Sequence, residues 1–388
     1  MQTKTVLISG AGIAGLTLAY WLHHFGFVPT IVEKRPNLDA EGYMIDFYGS
    51  GFDVAEKMGL IEQLRAQHYQ IPKLTFVDQN GAEKAVLDVE KFRAVLKFRH
   101  FNFMRGDLET VLYDAIKDNV DIRFVHSISE LHPNPEGVDV RMADGSTGSY
   151  DLVVGADGIH SNVRQLLWGD EARFARFLGF YVACSIIENF LGRSNAFYSH
   201  LHPGSQASVY SIRGNRLATL FAFKGEPMSI HGHDQKMAAL ARGLAGSQWV
   251  VPKLLELTSA DEGLFFDAVS QIHVPNWFQG RVALVGDACQ CLTLLAGQGA
   301  SMGMAGAYLL ANELHAADGE HTTAFAAYQA KLQPEIMQRQ KQAQKLANSF
   351  VPNTRFAIWV THLFMRAAFL PGFRAIVQRQ IGSKSIIK

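Results

Sequence analysis

Residues Thr5-Val-Leu-Ile-Ser9 form a short, unbroken, β-branched apolar run, the pattern of a strand buried on both faces. Gly10-Ala11-Gly12 turns the chain, and over residues 13–25 the positions Ile13, Leu16, Ala19, Tyr20 and Leu22 recur at helical spacing. Gly26 stands where a helix C-cap places glycine, and residues 28–33 are a second buried-strand run. Strand, helix and strand in this order predict two parallel strands joined by a right-handed crossover.

The pattern then becomes mixed. Residues 74–96 alternate as a pair of antiparallel strands would, and residues 107–116, just after Arg105, read as a helix. Residues 120–126 and 138–142 read as strands, the second closed by the turn Ala143-Asp144-Gly145, and residues 151–155 are another buried-strand run. Between residues 176 and 269 the texture changes. Segments 197–201, 207–212 and 216–223 predict an antiparallel sheet, with Arg213-Gly214-Asn215 as a hairpin turn. Residues 281–285 return to the buried-strand pattern, and 301–314 and 322–350 predict helices, the second kinked at Pro334. The expected class is α/β: a Rossmann-like domain from segments 1–73, 98–175 and 272–350, a β-sheet domain inserted as 74–97 and 176–271, and a C-terminal helix at 351–388 bridging the two.

Composition narrows the function. A chain of 388 residues is long enough for about two to three domains and needs no disulfide or metal staple. The 36 basic and 36 acidic residues cancel, which does not advertise a nucleic-acid partner or an extended anionic-membrane surface. With 48% apolar and 19% charged residues the chain is not disordered, and three cysteines point to a reducing cytoplasm rather than a disulfide framework. The glycines after Val6-Leu7-Ile8 do not make a signal-peptide core, and no apolar run is long enough to span a membrane. Residues 356–373 come nearest, but they contain His362, Arg366 and Pro371 and read as a buried or docking helix in preference to a membrane-surface one.

The first chemical motif is Gly10-x-Gly12-x-x-Gly15, between a strand and a helix, with Glu33 ending the next strand about 20 residues beyond the glycines. In this setting the glycines permit a tight turn, close approach of a pyrophosphate and close helix packing, and the helix N-terminus receives phosphate charge. Dinucleotide binding follows; which dinucleotide does not. Taken singly, Asp157-Gly158 suits a turn, Asp287 a helix N-cap, and Arg105 a surface pair with Asp107. Gly299-Ala-Ser301-Met-Gly303 matches a hydrolase elbow in letters but lacks the strand before it. Cys289-x-Cys291 has no metal-site spacing, Cys184 reads as core, and His23-His24 and His231-x-His233 lack a third ligand.

Together the motifs carry a resemblance. Asp151-Leu-Val-Val-Gly-Ala-Asp157-Gly158 through Arg164, Gly280 through Gly286-Asp287-Ala288 with Gly297-Gln298-Gly299, and Arg105-Gly-Asp-Leu108 resemble, in order, the Asp-Gly, Gly-Asp and Arg-x-x-Leu motifs of the single-component FAD-dependent aromatic monooxygenases, the para-hydroxybenzoate hydroxylase type. The Tyr20-Trp21-Leu22 helix, Gly42-x-x-x-Asp46-x-x-Gly49 and the C-terminal helix are similar to the tetracycline-inactivating members. The resemblance implies FAD as cofactor and NAD(P)H as a transient donor, since no second glycine motif marks a separate nicotinamide domain. It implies that Gly10, Gly12, Ala14 and Gly15 cradle the pyrophosphate, that Glu33 and Lys34 lie at the adenosine ribose, and that Arg105 contacts the flavin-side phosphate or ribityl chain. Asp157 and Gly158 would sit between FAD and the nicotinamide donor, Gly286 and Asp287 at the ribityl or pyrophosphate region, and Gly297, Gln298, Gly299 and Ala300 at the isoalloxazine. The inserted sheet becomes the substrate domain, with Asp46, Phe47, Arg213 and Phe221 as candidate lining for an aromatic or polyketide-like substrate, tetracycline among them. The implied chemistry is hydride transfer to FAD, reaction with O₂ to a flavin hydroperoxide and oxygen delivery to an electron-rich ring, with no side-chain nucleophile, in a monomer or homodimer. The chain departs from the family pattern at Gln290 and Leu294, usually His and Pro, and at Ser301, usually Asn. An FAD-binding oxidase, or a non-catalytic flavin- or polyketide-binding protein, is the alternative reading.

Overall fold

The computed structural model describes residues 4–38, 42–293, 297–367 and 385–387. A six-stranded sheet forms from Phe278–Gln279, Val282–Leu284, Leu152–Gly155, Thr5–Ser9, Val28–Glu33 and Asp121–Phe124, in that spatial order. All its pairs are parallel except Phe278–Gln279 with Val282–Leu284. Val6, Leu7, Ile8, Val153 and Val154 are fully buried, as unbroken apolar runs require in a sheet covered on both faces. Asp151 aligns two strand starts by accepting from the Thr5 N–H at 2.8 Å and the Thr5 hydroxyl at 2.9 Å. Strand order reverses at Thr5–Ser9, whose neighbours lead away on opposite sides, so the crevice for a ligand opens at its carboxyl end, beside Gly10. The helix Ile13–His24 leaves that end and packs against the helix Gly299–Ala316, where Gly303 faces Ala14: a Cβ at Gly303 would stand 3.6 Å from the Ala14 Cβ.

The second large sheet has seven strands: Phe265–Ile272, Ala175–Glu188, Arg216–Lys224, Ser205–Ile212, Phe197–His202, Lys73–Val77 and Glu83–Asp88. It is antiparallel as expected except at one pair, Phe197–His202 with Lys73–Val77, which runs parallel because a distant chain segment adds to its edge. The 14-residue strand Ala175–Glu188 escapes the sequence pattern. Its register shifts between Phe177 and Tyr181, at Gly179 with φ +83°, and a bulge breaks the period-two alternation. One face is closed by the helices Gly232–Gly243 and Val251–Thr258 packed on Tyr181, Leu217, Phe221 and Phe223. The other packs on a separate antiparallel pair, Met44–Tyr48 with His100–Met104: Tyr210 and Ala218 pack with Ile71 and Met104, and the Tyr210 hydroxyl accepts from the Met44 N–H at 2.8 Å.

Three connections join the two sheets. Arg213, on the hairpin between Ser205–Ile212 and Arg216–Lys224, pairs with Asp107 at 3.2 Å and lies over the Tyr69 ring. The helix His321–Phe350 runs 30 residues through Pro334 and ends with Phe350 and Val351 against Phe180, Val182 and Ala222. The helix Arg355–Ala367 packs on Glu83–Asp88 and Phe197–His202, while Ile386 and Ile387 return to the core of the first sheet, the Ile386 N–H donating to Ser50 Oγ at 3.1 Å. Residues 368–373 of the C-terminal stretch singled out above, Pro371 among them, lie outside the described residues.

A Cβ at Gly243 would stand 2.1 Å from the Phe223 ring. Gly243→Ala is expected to cost about 1–3 kcal/mol of stability, read as a lower Tm. An unchanged Tm would show that this helix does not seat on Phe223.

Candidate functional site

The glycine turn shows three different constraints. Gly10 has φ +107°, and a Cβ there would meet the Ala156 carbonyl oxygen at 2.7 Å. At Gly15 a Cβ would fall 2.0 Å from the Gly10 carbonyl oxygen, so the helix lies on the turn with no room for a side chain. Gly12 differs: a Cβ there would meet only Glu109 Oε1 at 3.6 Å and Arg105 Nη2 at 3.7 Å, both at ordinary contact distance. Gly12 therefore keeps space clear for something besides the chain. It N-caps the helix Ile13–His24, which has no side-chain cap and no acid in its first turn, so its N–H groups face that space uncompensated.

Charged side chains ring the space in alternation. Glu33, 5% exposed, accepts from the Ala11 N–H at 2.8 Å and the Arg35 N–H at 2.9 Å. Burial pushes its carboxyl up, but these N–H groups and the Arg35 charge outweigh that and hold it below the ordinary value. The Arg35 guanidinium lies between Glu33, at 3.2 Å, and Glu109, at 3.9 Å, and Arg105 pairs with Glu109 at 2.7 Å. Arg105 thus pairs with Glu109 and not with Asp107, which accepts from the Met104 N–H and holds Arg213. Arg105 is also the first residue of its helix, Arg105–Asp114, rather than preceding it. Lys34 is exposed and takes part in none of these pairs.

Two further motif segments close on the same recess. Asp157 accepts from the Ser161 hydroxyl at 2.5 Å and the Val163 N–H at 3.0 Å, fixing Gly158 in the turn before the helix Asn162–Trp168. Buried Arg164 donates to the Ala288 and Ile159 carbonyls and pairs with Glu171 at 2.8 Å, which ties the Asp157 turn to the Gly286-Asp287 segment. Gly286 leaves no room for a side chain, since a Cβ there would lie 2.8 Å from the Ala14 Cβ. Asp287 is reached by solvent although protein surrounds it, the setting of a group at the floor of a cleft. Burial pushes its carboxyl up against the pull of the Arg105 charge. The Tyr43 phenol, pushed up by burial, feels the same two charges and Cys184 of the seven-stranded sheet.

The Gly297–Ala300 segment opens the helix Gly299–Ala316, which again has no side-chain cap and no acid in its first turn. Gln298 donates to the Tyr48 hydroxyl at 3.3 Å and accepts from Arg339 on the long helix. Gln290, in the family's His position, is buried: its amide donates to the Met302 carbonyl at 3.1 Å and pins the Asp287 segment to this helix. Leu294 lies outside the described residues. Ser301, the would-be hydrolase serine, is on the helix and buried, its hydroxyl given to the Tyr48 carbonyl at 2.8 Å. Cys184, Cys289 and Cys291 are free, buried thiols, and the described residues hold no group of metal-ligating side chains.

The candidate substrate residues do not gather. Phe47 and Phe221 are fully buried, Phe47 against Phe103 in the core of the first sheet and Phe221 under the helices on the far face of the second. They are packing residues, because an aromatic at an alternating strand position closes a core as readily as it lines a pocket. Arg213 is a clasp between the sheets. Asp46 is exposed, and accepts from Asn102 at 2.5 Å and His100 at 3.0 Å on the strand opposite. Sequence reasoning passed over Arg35, Tyr43 and Glu109; of these only Glu109 left a signal, four residues after Arg105 on one helix face. It also passed over the hydrogen-bonded cluster Ser199, Gln206 and Ser208, on the face of the second sheet that carries Tyr210.

A family model described as FAD binding domain matches residues 3–338. A flavin-dependent monooxygenase from an unknown prokaryotic organism is 33% identical over 373 residues, 94% of this chain and 91% of the relative. The chain belongs to the FAD-dependent monooxygenases. Another member, a flavin-dependent monooxygenase of Legionella longbeachae, is 32% identical over 93% of this chain and 89% of its own length. Among solved structures, the tetracycline destructase Tet(55) superposes with a TM-score of 0.86 at 29% identity, covering 100% of this chain and 99% of that one. The residues of this monooxygenase fit FAD. The space at Gly12, flanked by a free helix N-terminus and Arg105, suits a pyrophosphate. Past Glu33 along the chain, an open recess of about 300 Å³ is lined by Pro36, Leu38, Tyr113 and Phe124 together with the polar Asn37, Thr110 and Asp114.

Gly12→Val is expected to leave the Tm of the FAD-free chain unchanged and to weaken FAD binding roughly tenfold or more, because the space is empty of protein but required by phosphate. Equal FAD affinity would remove Gly12 from the cradle. His160 bridges Glu171 at 3.0 Å and Asp267 of the second sheet at 3.5 Å, and its hydrogen bond to Asp267 with both carboxylate charges moves it, against burial, from 6.5 up to about 9. Its stabilising contribution is therefore fully present below pH 6.5 and lost as pH rises through about 9. His160→Gln should flatten the fall in Tm over that window, and a slope identical to the parent's would exclude the bridge.

Proposed function

We propose that this monooxygenase takes electrons from NAD(P)H and one oxygen atom from O₂ to hydroxylate a phenolic or polyketide-like substrate, with tetracyclines as the first class to test. The observation that carries the reading is that the FAD cradle adjoins the seven-stranded sheet: the Arg105 N–H donates to the Tyr43 carbonyl at 2.9 Å, the Tyr43 ring lies 5.9 Å from Phe265 of that sheet, and the Cys291 thiol, just beyond Asp287, donates to its Ser270 carbonyl at 3.6 Å. Bound FAD would supply the oxygen chemistry.

The chain's own residues bind, orient and exclude water. Gly12, Arg105 and the N-terminus of Ile13–His24 hold phosphate charge, and Glu33 accepts from the ribose side. Asp287 at the cleft floor accepts hydroxyl hydrogens of the ribityl region. The uncapped N-terminus of Gly299–Ala316 offers N–H groups where negative charge gathers on reduction, a preorganised stabiliser that needs no rearrangement. Of the Ser199, Gln206 and Ser208 cluster on the same sheet face as Tyr210, the two serines are covered and half-buried Gln206 is left to meet a hydroxyl or carbonyl group of a substrate. The likeness to a tetracycline destructase over the whole chain supports the multi-ring class.

The FAD-loaded enzyme, mixed with NADPH or NADH in air, is expected to oxidise the nicotinamide at least about tenfold faster with tetracycline, the product gaining one oxygen atom by mass spectrometry. Nicotinamide oxidation balanced entirely by hydrogen peroxide, with every phenol and polyketide recovered unchanged, would overturn hydroxylation in favour of an oxidase.

A further inference from the structure

The helix Arg355–Ala367 has two apolar faces, and only one is used. Ile358 and Met365 turn inward onto Phe76, Ala85 and Leu201, His362 lies against Phe76, and Arg366 donates to the Lys84 carbonyl at 2.6 Å. At about 100° per residue, Phe356, Trp359, Val360, Leu363 and Phe364 share the opposite arc, roughly 140° wide. These five side chains are 43 to 72% exposed, and the Phe356 and Trp359 rings stack at 5.9 Å. Single exposed apolar residues are ordinary on a protein surface; five on one helical stripe are not.

Charge indicates what covers the stripe. From Arg355 to Lys388 the sequence has six Lys and Arg and no Asp or Glu, so the neutral total of the chain conceals a C-terminal stretch of +6 and a remainder of −6; Arg355 and Arg366 are on the helix, and the other four lie outside the described residues. Arg355 and Arg366 fall at one border of the apolar arc, where basic side chains of an interfacial helix reach headgroups. A second copy of the same face would set two like-charged stretches against each other, a costly arrangement for an isologous contact. An anionic lipid surface neutralises the charge and accepts the aromatic rings together.

We propose that this helix docks the protein on an anionic phospholipid bilayer, lying in the headgroup plane with Phe356, Trp359 and Phe364 entering the acyl boundary. No helix among the described residues is long and apolar enough to cross a membrane, so the contact is peripheral. Of the expectation of a buried or docking helix in preference to a membrane-surface one, the inner stripe fits the docking reading, and the exposed outer stripe is the part this proposal reads differently. The inference is independent of the substrate assigned above.

The FAD-loaded full chain is sedimented with vesicles of phosphatidylglycerol and phosphatidylcholine in equal parts, and with phosphatidylcholine alone. Binding to the anionic vesicles, reversed by salt and absent on the neutral ones, is expected, with a blue shift of tryptophan emission that Trp359→Phe removes. The triple variant Phe356→Ser, Trp359→Ser, Phe364→Ser should keep the flavin spectrum and lose vesicle partition at least about tenfold; if it does not take up FAD, Trp359→Ser alone should lose roughly threefold or more. Undiminished binding by these variants, or no binding of the parent to anionic vesicles, would overturn the proposal. A dimer abolished by the same substitutions, in a protein that ignores vesicles, would overturn it by assigning the face to a second copy.

Discussion

The site depends on how closely one helix approaches one turn. Gly15 brings the helix Ile13–His24 onto the Gly10 carbonyl at a separation no side chain permits, and Gly286 brings a second motif onto Ala14 of the same helix at similar range. These contacts put an uncapped helix N-terminus at the carboxyl end of the central strand, where the strand order reverses. Arg105 and Asp287 acquire a shared neighbourhood only because the helix stands there.

The electrostatics around that helix end are balanced rather than uniformly positive. Glu33, Arg35, Glu109 and Arg105 alternate in sign along one chain of contacts. The buried carboxylates of Glu33 and Glu109 and the guanidinium groups of Arg35 and Arg105 hold one another in place. Such a ladder sets Arg105 beside Gly12 without closing the space in front of it. The amide struts have the same effect further along: Gln290 and the Arg339–Gln298–Tyr48 chain fix the ends of the Gly299–Ala316 helix region to the rest of the first domain.

Much of this was legible in the sequence, for definite reasons. Strands such as Thr5–Ser9 and Leu152–Gly155 are buried on both faces, so their apolar runs are unbroken, and the glycine spacing reports steric needs that only glycine meets. Ala175–Glu188 was hidden because the Gly179 bulge interrupts its alternation, and the parallel pairing of Lys73–Val77 with Phe197–His202 was hidden because edge pairing between distant segments leaves no local trace. Phe47 and Phe221 take packing positions and Arg213 a clasp between the sheets, which the sequence does not show, since aromatic and hairpin positions carry no mark of which face a sheet turns toward a partner. Tyr43 and the Ser199–Gln206–Ser208 cluster take their meaning from residues far away in the chain.

The central claim is that the space in front of Gly12 and Arg105, floored by Asp287, holds FAD. The visible absorption spectrum of the purified chain, after incubation with FAD and removal of the excess, tests it most directly. The account predicts the bands of oxidised flavin at one FAD per chain; a colourless protein that takes up no FAD would contradict it.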